Sequence, residues 1–152
     1  MELTTDITTW RVLVVDDEGD NLNLISDLLE FSGATTSRAK DGLEGLASVD
    51  TFQPNVILLD LGMPSMDGWE VQRQLRLRPE LARVPIVALT ALAMPGDAER
   101  VRAAGFDAYI TKPFRVKAIL ADLKDSVSSF IAADPANAAQ TPQSEFPEQS
   151  QS

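Results

Sequence analysis

Apolar residues along this chain fall into short unbroken runs. Val12-Leu13-Val14-Val15 and Val56-Ile57-Leu58-Leu59 are apolar at every position, which is the pattern of a strand buried on both faces, not on one. The pattern predicts strands at about 11–15, 34–38, 55–59, 84–89 and 107–111. It predicts helices at about 20–32, 41–50, 67–77, 96–104 and 115–132. Strands alternating with helices imply an α/β protein: a parallel sheet with right-handed crossovers and helices on both faces.

Punctuation agrees with these limits. Gly33 and Gly105 follow helical segments, where a left-handed cap is expected. Asp20 and Asp67 are read as N-caps, able to accept an orphan backbone N–H. Pro54 precedes the third strand and Pro85 opens the fourth, where a missing donor is tolerated. The last helix carries Val116, Ile119, Leu120, Leu123, Val127, Phe130 and Ile131 at helical spacing, and the first carries Leu22, Ile25, Leu28 and Leu29; both stripes are read as core-facing. The fourth helix has one large apolar residue, Val101, and so buries little surface and should be weakly held. Trp69 opens the third helix as half-exposed packing, and Trp10 is read as covering the lower end of the sheet. The expected organisation is an N-terminal extension at 1–9, a domain at 10–132 and a disordered acidic tail at 133–152. The tail reading rests on its Pro, Gln, Ser and Ala and its lack of Lys, Arg and periodicity.

Composition narrows the chemistry. The 152 residues include no Cys and no His, which excludes disulfides, thiolate sites, the usual zinc ligands and the commonest general base. Net charge is −10, no electrostatic footprint for a phosphate backbone. No apolar run approaches the roughly 18 residues of a membrane span, and residues 1–10 lack a signal-peptide layout, so a cytoplasmic location is expected.

Two of the buried runs end in acid: Asp16-Asp17 after the first, Asp60 after the third. Ligands in open α/β sheets bind outside the carboxyl ends of the strands. Three carboxylates gathered there would repel one another and call for a cation. Magnesium suits hard oxygen ligands and keeps several waters; Asp17 and Asp60 could bind it directly, Asp16 through a water, and the Gly62 carbonyl could add an oxygen. Calcium would accept the same donors, but its twelve-residue loop pattern is missing. Thr90 ends the fourth strand and Lys112 the fifth. A cation, an ammonium and a hydroxyl together suit a phosphoryl group, and a carboxylate among them can form an aspartyl phosphate. With no histidine present, Asp60 is the best nucleophile.

Asp16-Asp17, Asp60 in Leu-Asp-Leu-Gly-Met-Pro-Ser-Met-Asp-Gly, Thr90 in Ala-Leu-Thr-Ala and Tyr109-Ile-Thr-Lys112-Pro113-Phe together resemble the receiver domain of bacterial two-component response regulators. The likeness covers about residues 10–132, with the motifs in the family's order. It implies a doubly wound (βα)5, flavodoxin-like three-layer sandwich with strand order 2-1-3-4-5, an order the doubly wound folds include. It implies Asp60 as phosphoacceptor for a histidine kinase or phosphotransfer protein, in phosphorelay signalling. Asp16, Asp17 and the Gly62 carbonyl would organise Mg2+, Thr90 and Lys112 would contact the phosphoryl oxygens, and Tyr109 would be the switch aromatic. Met63-Pro64 and Asp67-Gly68 match the family's loop after the acceptor, and Pro113 its cis-proline position, a bond for which cis is tolerated.

Some positions depart from the best-known members. Gly19 stands where proline is common, and Gly62 and Leu92 occupy positions that in the family influence phosphoryl hydrolysis; neither side chain can hydrogen-bond a water. Leu92-Ala93-Met94 is an apolar loop, read equally as cover for the core or as a patch facing a partner. The function implied is a single-domain receiver, not an enzyme, monomeric or weakly dimeric. It would hand its signal to a protein target through the fourth helix, fifth strand and fifth helix. The alternatives are a receiver fragment of a hybrid kinase or larger regulator, and a magnesium-dependent aspartyl-phosphate phosphotransferase. The last lacks the usual second acid, since the position two beyond Asp60 is Gly62, and has no insertion long enough for a cap. A flavin-binding module fits the fold but lacks a phosphate loop after the first strand.

Overall fold

A computed structural model of the chain describes residues 3–63, 66–91, 96–112 and 114–133. The expectations for Pro64, Leu92-Ala93-Met94, Pro113 and the tail from 134 onward fall outside the described residues.

Five strands form one parallel sheet in the order β2-β1-β3-β4-β5: β1 Arg11–Val15, β2 Thr35–Ala39, β3 Val56–Asp60, β4 Ile86–Thr90 and β5 Ala108–Thr111. Five α-helices connect and follow them: α1 Gly19–Phe31, α2 Gly42–Phe52, α3 Gly68–Arg76, α4 Asp97–Ala103 and α5 Val116–Ala133. The expected architecture and strand order are therefore present. β1 and β3 lie inside the sheet, which is why their sequences are apolar at every position: each strand contributes alternate residues to opposite faces. Leu13, Val15, Ile57 and Leu59 pack on the α2 and α3 side with Leu46, Val49, Val71 and Leu75. Val12, Val14, Val56 and Leu58 pack on the α1 and α5 side with Ile25, Leu29, Ile119 and Leu123. Leu58 is fully buried, a burial worth about 2 kcal/mol. β2 is an edge strand, and its sequence Thr-Thr-Ser-Arg-Ala is correspondingly polar.

Helix ends follow the punctuation with one exception. Asp67 caps α3, its carboxylate accepting the Glu70 N–H. Gly33 and Gly105 have φ of +106° and +97°, as left-handed termini require. Asp20, read as an N-cap, lies instead in the first turn of α1, and Glu18 holds the cap position without a side-chain bond. The reason lies upstream: the Glu18 N–H is taken by the Asp16 carboxylate, so the chain turns into the helix before Asp20. Val116, read as core-facing, is exposed, while Ile119, Leu123 and Val127 carry the buried face of α5. Trp10 is buried and donates its indole N–H to the Thr4 carbonyl at 2.8 Å. Val101 is the one buried residue of α4, as its sequence suggests. No helix among the described residues is long and apolar enough to cross a membrane.

Candidate functional site

Parallel pairing brings the ends of four strands' chains together. β1 and β3 run in register with Val15 opposite Leu59, so the residues that follow, Asp16 and Asp60, emerge side by side. β3 pairs with β4 with Asp60 opposite Leu89, and β4 with β5 with Thr90 opposite Thr111. The Lys112 N–H donates to the Thr90 carbonyl at 2.7 Å, which continues the ladder one residue beyond β5. Asp16, Asp17, Asp60, Thr90 and Lys112 thus share one edge of the sheet.

Asp16 and Asp60 adopt the same local device. The Glu18 N–H donates to Asp16 Oδ1 at 2.9 Å, and the Gly62 N–H donates to Asp60 Oδ1 at 3.0 Å. Each is an aspartate accepting from the backbone two residues ahead, the turn aspartate favours. The sequence reading assigned Gly62 only its carbonyl; its amide also fixes the acceptor carboxylate. The signal was available, since both acids end strands immediately before a change of direction. Gly68 is the second residue whose role needs the structure. A Cβ at that position would lie 2.3 Å from the Asp60 carbonyl oxygen, so only glycine lets α3 begin directly against the end of β3.

The electrostatics are those of a crowded acidic pocket. Asp16 and Thr90 are buried, Asp60 is 4% exposed, and Asp17 lies at the surface. One carboxylate oxygen from each of Asp16, Asp17 and Asp60 lies within 4.8 Å of the others. Lys112 Nζ bridges Asp16 Oδ2 and Asp60 Oδ1, at 3.3 Å from each. Burial, and secondarily the charge of Asp60, pushes the Asp16 carboxyl up to about 6, against the opposing pull of the Glu18 N–H and Lys112. Asp17 is raised as well, by partial burial and by its hydrogen bond and proximity to Asp60. Burial works against the charge of Lys112, but attraction to Asp16 and Asp60 outweighs it and raises its pKa.

Asp16 Oδ2 is buried and, among the described residues, has no hydrogen-bond donor besides its ionic contact with Lys112. A buried carboxylate oxygen left in this state, beside two further hard-oxygen donors, is the donor set of a small divalent cation such as Mg2+. Tyr109 lies on edge strand β5 and is 39% exposed, more open than a partly buried aromatic.

Comparison with known proteins agrees with this arrangement. Residues 12–124 match the family model for the response regulator receiver domain. The polar-differentiation response regulator DivK of Brucella ovis is 40% identical over 116 residues, 76% of this chain and 94% of that protein. The solved structure of the chemotaxis response regulator CheY4 of Vibrio cholerae superposes with a TM-score of 0.73 at 30% identity, covering 77% of this chain and 98% of that one. A CheY-like receiver domain protein of Methanospirillum hungatei gives 0.69 at 30% identity, covering 80% and 96%.

Proposed function

The chain belongs to the response regulator receiver domain family, and we propose that Asp60 is its phosphoacceptor, charged by a partner histidine kinase or phosphotransfer protein. The observation that carries the reading is the placement of Asp60: a nearly buried carboxylate, held by the Gly62 amide, 3.3 Å from the Lys112 ammonium and beside Asp16 and Asp17.

In the transfer, an Asp60 carboxylate oxygen forms a bond to phosphorus as the P–N bond of the donor phosphohistidine breaks, and the imidazole leaves with its electron pair. The Gly62 N–H orients the carboxylate for this attack. Lys112, already paired with it, offsets the negative charge the phosphoryl oxygens bring, about −1.5 to −2 at neutral pH. Asp16, Asp17 and Asp60, with the Gly62 carbonyl, are the residues that would hold Mg2+. That ion would neutralise anionic oxygens that protein side chains alone leave uncompensated.

The product is a switch, not a turnover. Thr90 gains a hydrogen bond to a phosphoryl oxygen, and Tyr109 moves inward from its exposed position as Thr90 shifts. A local charge event thereby biases a two-state element. The surface that changes is α4, β5 and α5. Between them lies a groove of about 300 Å³ whose walls include Val101, Arg102, Ala108, Tyr109 and Ser129. A protein target docking there would read the phosphorylation state, in the cytoplasm, where the kinase acts. The test is labelling by acetyl phosphate with Mg2+: the native protein should incorporate phosphoryl groups and Asp60→Asn should not. Equal labelling of the variant would remove Asp60 as the acceptor.

A further inference from the structure

The family match starts at residue 12 and stops at 124, yet ordered chain continues past both limits. Residues 3–10 precede β1, and α5 runs on to Ala133. These two outlying pieces meet at the edge of the sheet opposite Asp60. β1 enters the sheet from that edge, so residues 3–10 lie there. Helix α5 starts beyond Lys112, on the acceptor edge, and its 18 residues carry the chain back about 27 Å.

Residues 3–10 include one turn of 3-10 helix, Ile7–Thr9. Ile7 and Trp10 are buried in the same cluster as Val127 of α5, and Leu3 and Ile131 pack against that cluster. The segment is also fastened by polar contacts. The Trp10 indole N–H donates to the Thr4 carbonyl at 2.8 Å. The Asp6 carboxylate accepts the Thr8 hydroxyl at 2.7 Å and the Thr8 N–H at 3.0 Å, and Lys124 of α5 adds an attractive charge. Thr8 seats on the end of α1: a Cβ at Gly33 would lie 2.8 Å from Thr8 Cγ2.

The end of α5 is a poor helix by itself. Ser126, Val127, Ser128 and Ser129 favour helix weakly. The Ser126 hydroxyl donates to the Asp122 carbonyl at 2.9 Å, a back-bond that slightly weakens a helix. The last turn has no basic residue to meet the helix dipole. A helix end of this composition depends on the packing of its apolar side chains, and Val127 and Ile131 pack where residues 3–10 lie.

We propose that residues 3–10 are a strap that folds and opens together with residues 126–133, as one unit apart from the rest of the domain. Closed, the strap completes α5 and roots residues 134–152 at Ala133, far from the acceptor edge. Open, it adds 126–133 to the segment that follows, and each released residue gives up to about 3.5 Å of extra reach. The strap is a length control on the C-terminal segment, placed where it leaves the acceptor edge clear.

Amide hydrogen exchange and 13Cα chemical shifts of the full chain test it. In the native protein the amides of Thr9, Trp10 and 127–131 should open together, with opening constants within threefold of one another and at least tenfold larger than those of Leu13 and Leu58. Ile7→Ser should raise the constants of both segments by the same factor, at least tenfold. Leu3→Ser, at a partly buried residue, should do the same to a smaller extent and guards against a misfolded first variant. Removing residues 2–8 should move the 13Cα shifts of 127–133 to coil values and leave those of 116–123 helical. Unchanged exchange at 127–131 in both point variants would overturn the strap, as would helical shifts at 127–133 in the shortened chain. Native opening of 127–131 in step with Leu58, or loss of helix over 116–123 in the shortened chain, would overturn its separateness from the domain.

Discussion

Replacing Asp16 by Asn should make the protein more stable at neutral pH in metal-free buffer. Asp16 is buried, and its carboxyl is raised from 3.8 to about 6, first by burial and then by the charge of Asp60. At about 1.4 kcal/mol for each pH unit, keeping it ionised costs roughly 3 kcal/mol. The folded-state value lies above the unfolded one, so the folded protein takes up the proton first as pH falls. The penalty is therefore fully present above about pH 6, shrinks between 6 and 3.8, and is gone below that. Asn removes the charge and keeps an oxygen for the Glu18 N–H. It also weakens the hold on Lys112, which retains Asp60 at 3.3 Å, and this offsets part of the gain. A net stabilisation of about 1–2 kcal/mol at pH 7.5 follows, visible in urea titrations followed by circular dichroism with EDTA present. With urea slopes of about 1–3 kcal/mol per molar, the midpoint should rise by roughly 1 M. At pH 5, where the native carboxyl is mostly protonated, the gap should narrow by about 1 kcal/mol. A variant no more stable than the native protein at pH 7.5, or a gap that does not narrow, would refute the reasoning.

Gly68→Ala should destabilise the protein by about 2–4 kcal/mol, because its Cβ meets the Asp60 backbone oxygen at 2.3 Å and backbone cannot yield as a side-chain tip can; thermal unfolding measures it, and an unchanged Tm would show that α3 starts elsewhere. Millimolar Mg2+ should raise the Tm of the native protein, since a ligand of the folded state alone stabilises it. Asp17→Asn removes one of the three clustered carboxylates and should abolish most of that rise; an equal rise in the variant would take Asp17 out of the metal site.

The inner strands were legible because burial on both faces leaves a direct mark: Val56 to Leu59 are apolar one after another. The carboxylates ending β1 and β3 were legible for the same reason, since parallel pairing delivers consecutive strand ends to one edge. Edge strand β2, with its polar Thr35 to Arg38, has no such mark, and its expected bounds, like those of β3, lie one residue before the observed ones. Asp20 misled because the Glu18 amide, two residues before it, is engaged by Asp16, a bond that no residue-by-residue preference reveals. Gln72 was wholly invisible. A glutamine in a polar helix reads as surface, yet it is fully buried because Gly105, 33 positions further on, opens a space for it. Its bond to the Ala104 carbonyl spans 32 residues of sequence, and local pattern carries no information about such contacts.

Borohydride reduction converts an aspartyl phosphate to homoserine and so records its position in the chain. Applied after acetyl phosphate and Mg2+, followed by peptide mass analysis, it should find the converted residue at position 60. Conversion at Asp16, Asp17 or another acid in place of Asp60, or none at all in folded protein, would contradict the account.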